Sequence, residues 1–350
     1  MGVAHRYGGE RGDQMTEPDT RTRAGLPEPS GLSGPVEPSG LLEPVEPSGL
    51  SVPSGLPGHG TGVRPDGPHA GQEAGLAPRN RMLARAAVSS AQDILRQRYG
   101  LPSAQAGFEL LREASQRHNV KLHTLADAVI RVPCPDHERG VWFPGRARTS
   151  APPLPRIPLA GHSGDAATQG SVLSGALTRV LEITQTGMGN VQLAEHGLLR
   201  LEKHTGLSRQ FTDFFAFVDH PSTSCAQAAQ DREQVTVRDV ATEPFFDEGS
   251  RRVILHAGSR ACHSVPLLNE RGAVLGVISS HHPQPLTGYS RTRLEALRTT
   301  AATVGRWLSW HRRTVVLDAL EDLHFSARRK RGDRDAARTA RPDGGAVHSP

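Results

Sequence analysis

Cationic and amide side chains crowd one bend between two amphipathic helical patterns. The bend, "SQRHNVK" at 115–121, contains Arg117, Asn119 and Lys121, and Arg112 comes just before it. Arginine forks, a lysine point charge and a side-chain amide suit phosphates and the edges of unstacked bases. The bend therefore fits a polyanionic ligand.

Each of these residues also has a purely structural explanation. Arg112 could pair with Glu109 or Asp127, and Asn119 could cap the helix that follows it. Between residues 81 and 131 there are eight Arg and Lys residues against four acids. Because such an excess is more often a solvated surface than a binding site, it permits nucleic-acid binding without requiring it.

Three short helices must position this bend. Apolar or small residues recur at helical spacing in 81–99, 106–118 and 121–131. The break "GLPSAQ" offers Ser103 as the N-cap of the second helix. The pattern predicts a compact three-helix bundle at 81–131, small enough for self-association to help its stability.

The bundle resembles the ANTAR family, a three-helix RNA-binding module of bacterial transcription antiterminators. The matching motifs are "A-x-x-I-L" at 91–95 and "F-E-L-L-R-x-x-S-x-x-x-N-x-K-L" at 108–122. The resemblance implies binding to paired stem-loops in a nascent leader transcript, which would keep a terminator hairpin from forming. The RNA contacts that it implies are Arg81, Arg85, Arg112, Arg117, Asn119 and Lys121.

Two positions depart from the ANTAR pattern. Asp93 stands where the family usually has glycine, and its carboxylate would repel phosphate if RNA approached the first helix there. Gly107 stands where the family usually has alanine, at a cost of about 1 kcal/mol in helix stability. The module also precedes its sensor here, whereas it usually follows one, so the coupling between them must run differently.

From 166 to 313 the pattern changes to strands joined by turns and flanked by helices. Two strands meet at a His196-Gly197 turn, and "CHSVPLLN" and "AVLGVISSHH" form a hairpin around "NERG". Helices are predicted at "GALTRVLEITQ", "RQFTDFFAFVD" and "FFDEGSRRVILHAG", and from Ser290 towards Leu323. Neighbouring strands joined by turns favour an antiparallel sheet. The fold class is therefore multidomain, α followed by α+β.

This second unit resembles a GAF domain, an α/β fold that senses ligands or partners. The resemblance rests on "MGNVQL" (188–193), "FTDFFAFV" (211–218), "VRDVATEPFF" (237–246), "SVPLL" (264–268) and "GAVLGVISSH" (272–281). It implies a pocket between the sheet and the helices. The candidate lining residues, which could equally be core, are Phe214, Phe217, Cys225, Phe246, Leu255 and Cys262.

The chemistry of this unit is otherwise sparse. GAF domains bind nucleotides, tetrapyrroles or nothing, so any cofactor stays open. No metal site is predicted, because Cys262 and His263 would face opposite sides of a strand. The sequence has no phosphate-cradling loop, nucleophile elbow or paired carboxylates on a helix, and we expect no enzyme.

The remaining segments have little capacity to fold. Residues 1–80 repeat "EPSGL" at 28–32, 37–41 and 46–50, which predicts a disordered arm. Seven prolines make 132–165 a disordered linker, in which Trp142 and Phe143 could dock on a neighbour. Residues 314–350 are predicted to hold a helix end and a basic disordered tail. Three cysteines, no membrane-length apolar run and no signal core favour a cytoplasmic protein without membrane contact.

Together these features predict a signal-responsive RNA-binding regulator acting in transcription antitermination. The GAF unit would sense a small-molecule or protein signal, and two chains would pair to hold two hairpins. The alternative is a protein-interaction and sensor module whose degenerate ANTAR unit lacks RNA affinity. No motif indicates the signal, the target transcripts or the direction of the response.

Overall fold

The computed structural model describes residues 70–135, 141–159 and 167–339, and the helical bundle comes first. It consists of α1 (Ala70–Tyr99), α2 (Ala104–Arg117) and α3 (Leu122–Arg131). α2 starts after the predicted N-cap, Ser103, whose hydroxyl accepts a hydrogen bond from Ala106 N. Because α1 begins at Ala70, the predicted arm at 1–80 is wrong for its last residues, while the "EPSGL" repeats lie outside the described residues.

α1 and α2 approach each other closely at Gly107. A Cβ atom on this glycine would lie 3.0 Å from Gln92 O and 3.3 Å from Gln92 Cα. An alanine here would press against the backbone of α1. Glycine at position 107 therefore lets α1 and α2 pack closely, and this offsets its low helix propensity.

The second unit, called here the sheet domain, is a six-stranded antiparallel sheet in the order β3-β2-β1-β6-β5-β4. Its strands are β1 (Met188–Glu195), β2 (Leu198–Thr205), β3 (Phe217–Val218), β4 (Val235–Val237), β5 (Ala261–Leu268) and β6 (Val274–His282). Its helices are α4 (Gln169–Thr184), α5 (Arg209–Phe214), α6 (Ser224–Asp231), α7 (Glu248–His256) and α8 (Arg291–His311). The predicted antiparallel sheet flanked by helices is confirmed.

Two predicted helices of the sheet domain are shorter than expected. The helix over "RQFTDFFAFVD" ends at Phe214, and Phe217–Val218 instead pairs with β2 at the edge of the sheet. α7 starts only at Glu248, because the Asp247 carboxylate caps it by accepting from Ser250 N at 2.8 Å. Both differences reflect local tertiary pairing and capping that apolar periodicity alone does not show.

The sheet domain has a core on each face of its sheet. α4 and α8 cover one face, where Leu173, Val191 and Trp307 are buried together. α5, α6 and α7 cover the other, where Phe211, Ala228 and Ile254 are buried. Both faces of the sheet are therefore covered by helices of the same domain.

The chain returns to the bundle after α8. A π-helical turn (Arg312–Val316) joins α8 to α9 (Leu317–Thr339), and Leu320, Leu323 and Ala327 of α9 are fully buried in the same apolar cluster as α1, α2 and α3. The predicted helix end, up to Leu323, agrees with α9, but the disordered tail predicted after it is wrong up to Thr339, and 340–350 lie outside the described residues. The helix was not predicted over this range because many basic residues follow Ala327, and the helical spacing of the apolar residues is clear only before them.

The described part of the linker is docked, although its prolines predict disorder. Trp142 is buried in the apolar cluster of the bundle, and its indole N–H donates to Pro133 O at 3.0 Å. Ile157 is buried with α4 in the sheet domain. Residues 141–159 contain no helix or strand, but they contact both units, and the predicted docking of Trp142 is confirmed.

Candidate nucleic-acid interface

The bend between α2 and α3 is a closed turn. The Ser115 hydroxyl donates to Val120 O at 2.6 Å, and Val120 N donates to Ser115 O at 3.0 Å. Asn119 lies between them with a φ of 49°, a left-handed conformation that asparagine adopts more readily than most residues. Lys121, not Asn119, is the N-cap of α3, so the capping explanation for Asn119 is wrong. The Asn119 side chain stays exposed at the centre of the turn.

The two cations of the turn are bound to carboxylates from elsewhere in the chain. Arg117 forms an ion pair with Asp322 of α9, and His118 Nε2 lies 3.4 Å from the same carboxylate. Lys121 forms an ion pair with Glu202 of β2. The Glu202 side chain is 1% exposed and the Lys121 side chain is 42% exposed. The cations predicted to bind RNA are therefore paired on one side with α9 and on the other with the sheet domain, while their side chains stay about half exposed.

The other predicted RNA contacts are dispersed. Arg112 pairs with Glu109 at 2.6 Å, which confirms the intrahelical alternative, and this hydrogen bond holds the pKa of Glu109 below its usual range. Arg81 and Arg85 are exposed on α1. Leu83 lies on the face of α1 that points towards α3. Arg81 and Arg85 are two residues away from Leu83 on either side and so point to the opposite face of the helix, away from the α2–α3 turn.

A group of polar side chains joins α3 to the sheet domain. His123 Nδ1 lies 2.6 Å from Glu195 Oε2, and His123 Nε2 lies 3.3 Å from Glu202 Oε1. We call His123, Glu195 and Glu202 the His–Glu cluster. Burial tends to raise the pKa of Glu195, but the hydrogen bond and charge of His123 and the Thr124 hydroxyl outweigh it, so this pKa lies below its usual value. The cluster thus keeps a buried carboxylate ionised between two units.

The π-helical turn contacts the same region. The Arg312 guanidinium donates to Ala194 O at 2.9 Å and Leu275 O at 3.4 Å. Burial lowers the pKa of Arg312, and the charges of Glu195 and Asp127 oppose that shift. Asp127 also accepts a hydrogen bond from His196 N at 2.8 Å. The end of β1 is therefore tied both to α3 and to the connection between α8 and α9.

A small cavity lies beside the His–Glu cluster. Its volume is about 30 Å³, which is enough for a water molecule. Polar lining comes from His123, Asp127, Glu195 and Arg200, and apolar lining from α1 and β2. The cluster therefore borders a space that can hold a small polar ligand.

A larger pocket of about 550 Å³ lies on the sheet domain. Two of the candidate lining residues, Phe214 and Phe217, lie in its wall, together with Asp247 and with Arg79 of α1. Arg79 Nη2 lies 2.9 Å from both oxygens of Asp219, so α1 forms part of the pocket wall. A ligand in this pocket would touch the bundle as well as the sheet domain.

The other four pocket candidates do not line it. Cys225, Phe246 and Cys262 are buried in the core between the sheet and α5–α7, and Leu255 packs against that core. Burial raises the pKa of the Cys262 thiol to about 12, so this thiol stays protonated and unreactive at neutral pH. These four residues have a packing role, which was the alternative for them.

Sequence reasoning missed the acidic half of the interface. Glu195, Glu202 and Asp322 pair with cations across the fold, and no local spacing marks them. The Arg117–Asp322 pair joins residues 205 positions apart, and the Lys121–Glu202 pair joins residues 81 apart. One feature of the sequence could have indicated them. Glu195 and Glu202 lie in β1 and β2, and a carboxylate buried in a packed sheet rarely stays unpaired.

The chain thus joins a helical bundle with a cationic turn to a six-stranded sheet that carries a pocket of about 550 Å³. Residues 78–130 match the ANTAR domain family and residues 171–307 match the GAF domain family. The chain therefore contains an ANTAR domain followed by a GAF domain, and this combination is that of a signal-sensing regulator. Among the described residues, no helix has the length and apolar character needed to span a membrane.

Solved structures similar to the chain include two that contain a GAF domain and one reductase. The GAF domain of an Acinetobacter phosphoenolpyruvate-protein phosphotransferase is 17% identical, with a TM-score of 0.32, over 41% of this chain and 82% of that one. A GAF domain/HD domain protein from Geobacter sulfurreducens is 15% identical, with a TM-score of 0.35, over 43% and 97%. A type II free methionine-R-sulfoxide reductase from Thermoplasma acidophilum is 15% identical, with a TM-score of 0.32, over 39% and 88%. No curated protein matches the chain.

Proposed function

We propose that this chain is a non-enzymatic, signal-responsive RNA-binding regulator whose RNA-binding turn is held closed by its own carboxylates. The observation that carries the proposal is the ion pair between Lys121 of the ANTAR domain and Glu202 of the GAF domain. The RNA ligands would be stem-loops in leader transcripts, and the regulatory effect would be antitermination.

The closed state follows from competition for the same cations. A phosphate oxygen and a carboxylate oxygen bind an ammonium group in similar ways, so Lys121 cannot serve both at full strength. Arg117 is engaged in the same manner by Asp322. RNA must therefore either displace two carboxylates or bind only the fraction of molecules in which the ANTAR domain has moved away from them.

The cost of opening is modest. The Arg117 and Asp322 side chains are 52% and 25% exposed, so solvent screening limits this pair to roughly 0.2–1 kcal/mol. The Glu202 side chain is 1% exposed, but after release of Lys121 it keeps Arg200 and His123 as neighbours. A ligand that favours the open state by a few kcal/mol would shift the population substantially, since about 1.4 kcal/mol is a factor of ten. The interface therefore suits a switch.

The pocket beside Phe214 and Phe217 is the proposed entry point of the signal. Its wall includes Arg79 of α1, and Asn80 Nδ2 donates to Asp213 O at 2.7 Å on the same side. A ligand that displaced Arg79 from Asp219 would loosen α1 from the GAF domain. A small molecule of mixed apolar and polar character fits this lining.

The test is RNA binding by the full chain and by variants that release the turn. Glu202→Gln and Asp322→Asn should each bind a tandem-hairpin RNA about 2- to 5-fold more tightly than the unaltered chain, the factor expected from loss of one ion pair whose cation is about half exposed. Lys121→Ala should weaken binding and reduce its dependence on salt. Glu182→Gln, at a surface pair with Arg179 on α4, is the matched control and should change nothing.

The rival function is a protein-interaction module without RNA affinity. It is favoured by the exposed carboxylate of Asp93 on α1 and by the engagement of Arg112, Arg117 and Lys121 in ion pairs. If no variant binds hairpin RNA in low-salt buffer while thermal melting shows all of them folded, the RNA proposal is wrong. Readthrough of a terminator in a purified transcription reaction then distinguishes antitermination from simple RNA binding.

A further inference from the structure

We propose that the His–Glu cluster is a binding site for a divalent transition-metal ion such as Zn²⁺. The ligands are one imidazole nitrogen of His123 and one carboxylate oxygen each from Glu195 and Glu202. One donor atom from each of the three side chains lies within 4.8 Å of the other two. Histidine nitrogen and carboxylate oxygen are ligands that Zn²⁺ accepts at about 2.0–2.2 Å.

The three donors are held by regular elements rather than loops. His123 lies in the first turn of α3, Glu195 ends β1 and Glu202 lies within β2. His123 Nε2 and Glu202 Oε1 are 3.3 Å apart, which is about the separation of two ligands on a tetrahedral ion with bonds near 2 Å. Only the carboxylate of Glu195 must turn, since it contacts the other nitrogen of the same ring.

The cavity beside the cluster provides the remaining coordination position. His123 and Glu195 both line this space of about 30 Å³, which is large enough for a water molecule as fourth ligand. Three protein ligands with one open position are common for Zn²⁺. The Thr124 hydroxyl donates to Glu195 Oε1 at 2.8 Å and would orient this ligand from behind.

The two buried carboxylates of the cluster need positive charge beside them whether or not a metal ion is bound. Glu195 and Glu202 are 6% and 1% exposed, and without a metal ion Glu202 is neutralised by Lys121 and by Arg200, whose Nε lies 3.5 Å from Glu202 Oε1. A metal ion on Glu202 Oε1 would draw charge away from this carboxylate and so weaken its pairing with the Lys121 ammonium at Oε2, which can swing into solvent because it is partly exposed. Any proton on the His123 nitrogen that binds the ion passes to bulk solvent.

Metal binding would therefore free the cation that the proposed function assigns to RNA. This consequence rests on the proposed RNA binding, but the metal site itself does not. The ion would act as a positive effector by weakening the pairing of Lys121 with Glu202, and the affinity for RNA should rise by a factor similar to that of Glu202→Gln.

The site is tested by titrating the metal-free full chain with Co²⁺ and following visible d–d absorption, then displacing Co²⁺ with Zn²⁺. The unaltered chain should bind one more equivalent than His123→Gln. His204→Gln is the matched control, because His204 is an exposed histidine two residues from Glu202 on β2. With 17 histidines in the chain, the difference in stoichiometry is the decisive quantity. Equal stoichiometry and affinity in His123→Gln would overturn the site.

The coupling is tested in the hairpin-binding assay with and without Zn²⁺. Zn²⁺ should tighten RNA binding by the unaltered chain about 2- to 5-fold, and it should have no effect on His123→Gln or on Glu202→Gln. RNA binding that Zn²⁺ leaves unchanged or weakens overturns the weakening of the Lys121–Glu202 pair. If no variant binds RNA, the proposed function fails, and the Co²⁺ stoichiometry still decides the metal site.

Discussion

Leu320→Ala tests whether α9 is a fourth helix of the bundle. Leu320 is 0% exposed and lies in the same apolar cluster as Leu95, Leu110 and Leu125. If α9 completes this core, the substitution must destabilise α1–α3, which precede it by about two hundred residues in the chain. A tail that only rests on the surface would have no such effect.

The expected magnitude follows from the burial of the side chain. Leucine to alanine removes three carbon atoms, worth roughly 2.4 kcal/mol at about 0.8 kcal/mol for each buried methylene. The cavity that remains adds to this loss, and buried leucines replaced by alanine cost about 2–5 kcal/mol in all. Since whole domains are stable by only about 5–15 kcal/mol, the bundle should lose a large part of its stability.

Phe325→Ala is the control on the same helix. Phe325 is larger than Leu320 but 49% exposed, so its truncation should cost much less, within about 1 kcal/mol. Both substitutions place alanine in α9 and leave the charge of the chain unchanged. A difference between them therefore reports burial rather than helix propensity.

Hydrogen exchange measured by mass spectrometry separates the two units. Leu320→Ala should accelerate exchange in peptides from α1, α2 and α3, whereas peptides from β1 and β6 should keep their protection. The reasoning is refuted if Leu320→Ala and Phe325→Ala have equal effects, or if exchange in α1–α3 does not change.

Two further predictions concern packing and pH. Gly305→Ala should lower the melting temperature, because its Cβ would lie 2.1 Å from Leu268 O, whereas Gly332→Ala, with no atom within 4 Å, should raise helix stability by about 1 kcal/mol. Burial, and secondarily the charge of His282, lowers the pKa of His281 to about 3. The unfolded chain therefore takes up a proton at His281 near pH 6.5 that the folded chain excludes, so the stability that this residue contributes is complete above that pH and falls by about 1.4 kcal/mol per unit on acidification towards pH 3. Urea titrations at several pH values should show that slope reduced by about one proton in His281→Asn, and an unchanged slope would contradict the assignment.

The parts of the fold that depend on local pattern could be predicted from the sequence. The three helices of the bundle follow from apolar residues at helical spacing, and Ser103 is an N-cap as its position predicts. The β1–β2 hairpin turns at His196 and Gly197, which both have positive φ. In each case the determining interactions lie within a few residues of one another.

Of the candidate site, the sequence predicts the cations but not the carboxylates that pair with them. The cations at the turn are of the expected types, but their partners come from β2 and α9. Ion pairs between distant segments depend on how the ANTAR and GAF domains dock, and no periodicity records docking. α9 was predicted only as far as Leu323, and its packing on the bundle was missed for a related reason, since its apolar residues face the open side of the bundle.

The inverted domain order makes sense once α8 and α9 are followed as one helical path. α8 is buried in the GAF domain at Leu297 and Trp307, and α9 is buried in the ANTAR core at Leu320. Between them, Arg312 in the π-helical turn bonds the end of β1, next to the Glu195 that holds His123. A movement of the β1–β2 hairpin would therefore act on Lys121 through Glu202 and on Arg117 through α9 at the same time. If opening is a single transition of this kind, the gains in RNA affinity from Glu202→Gln and Asp322→Asn should not add in the double variant, whereas independent pairs would give additive gains.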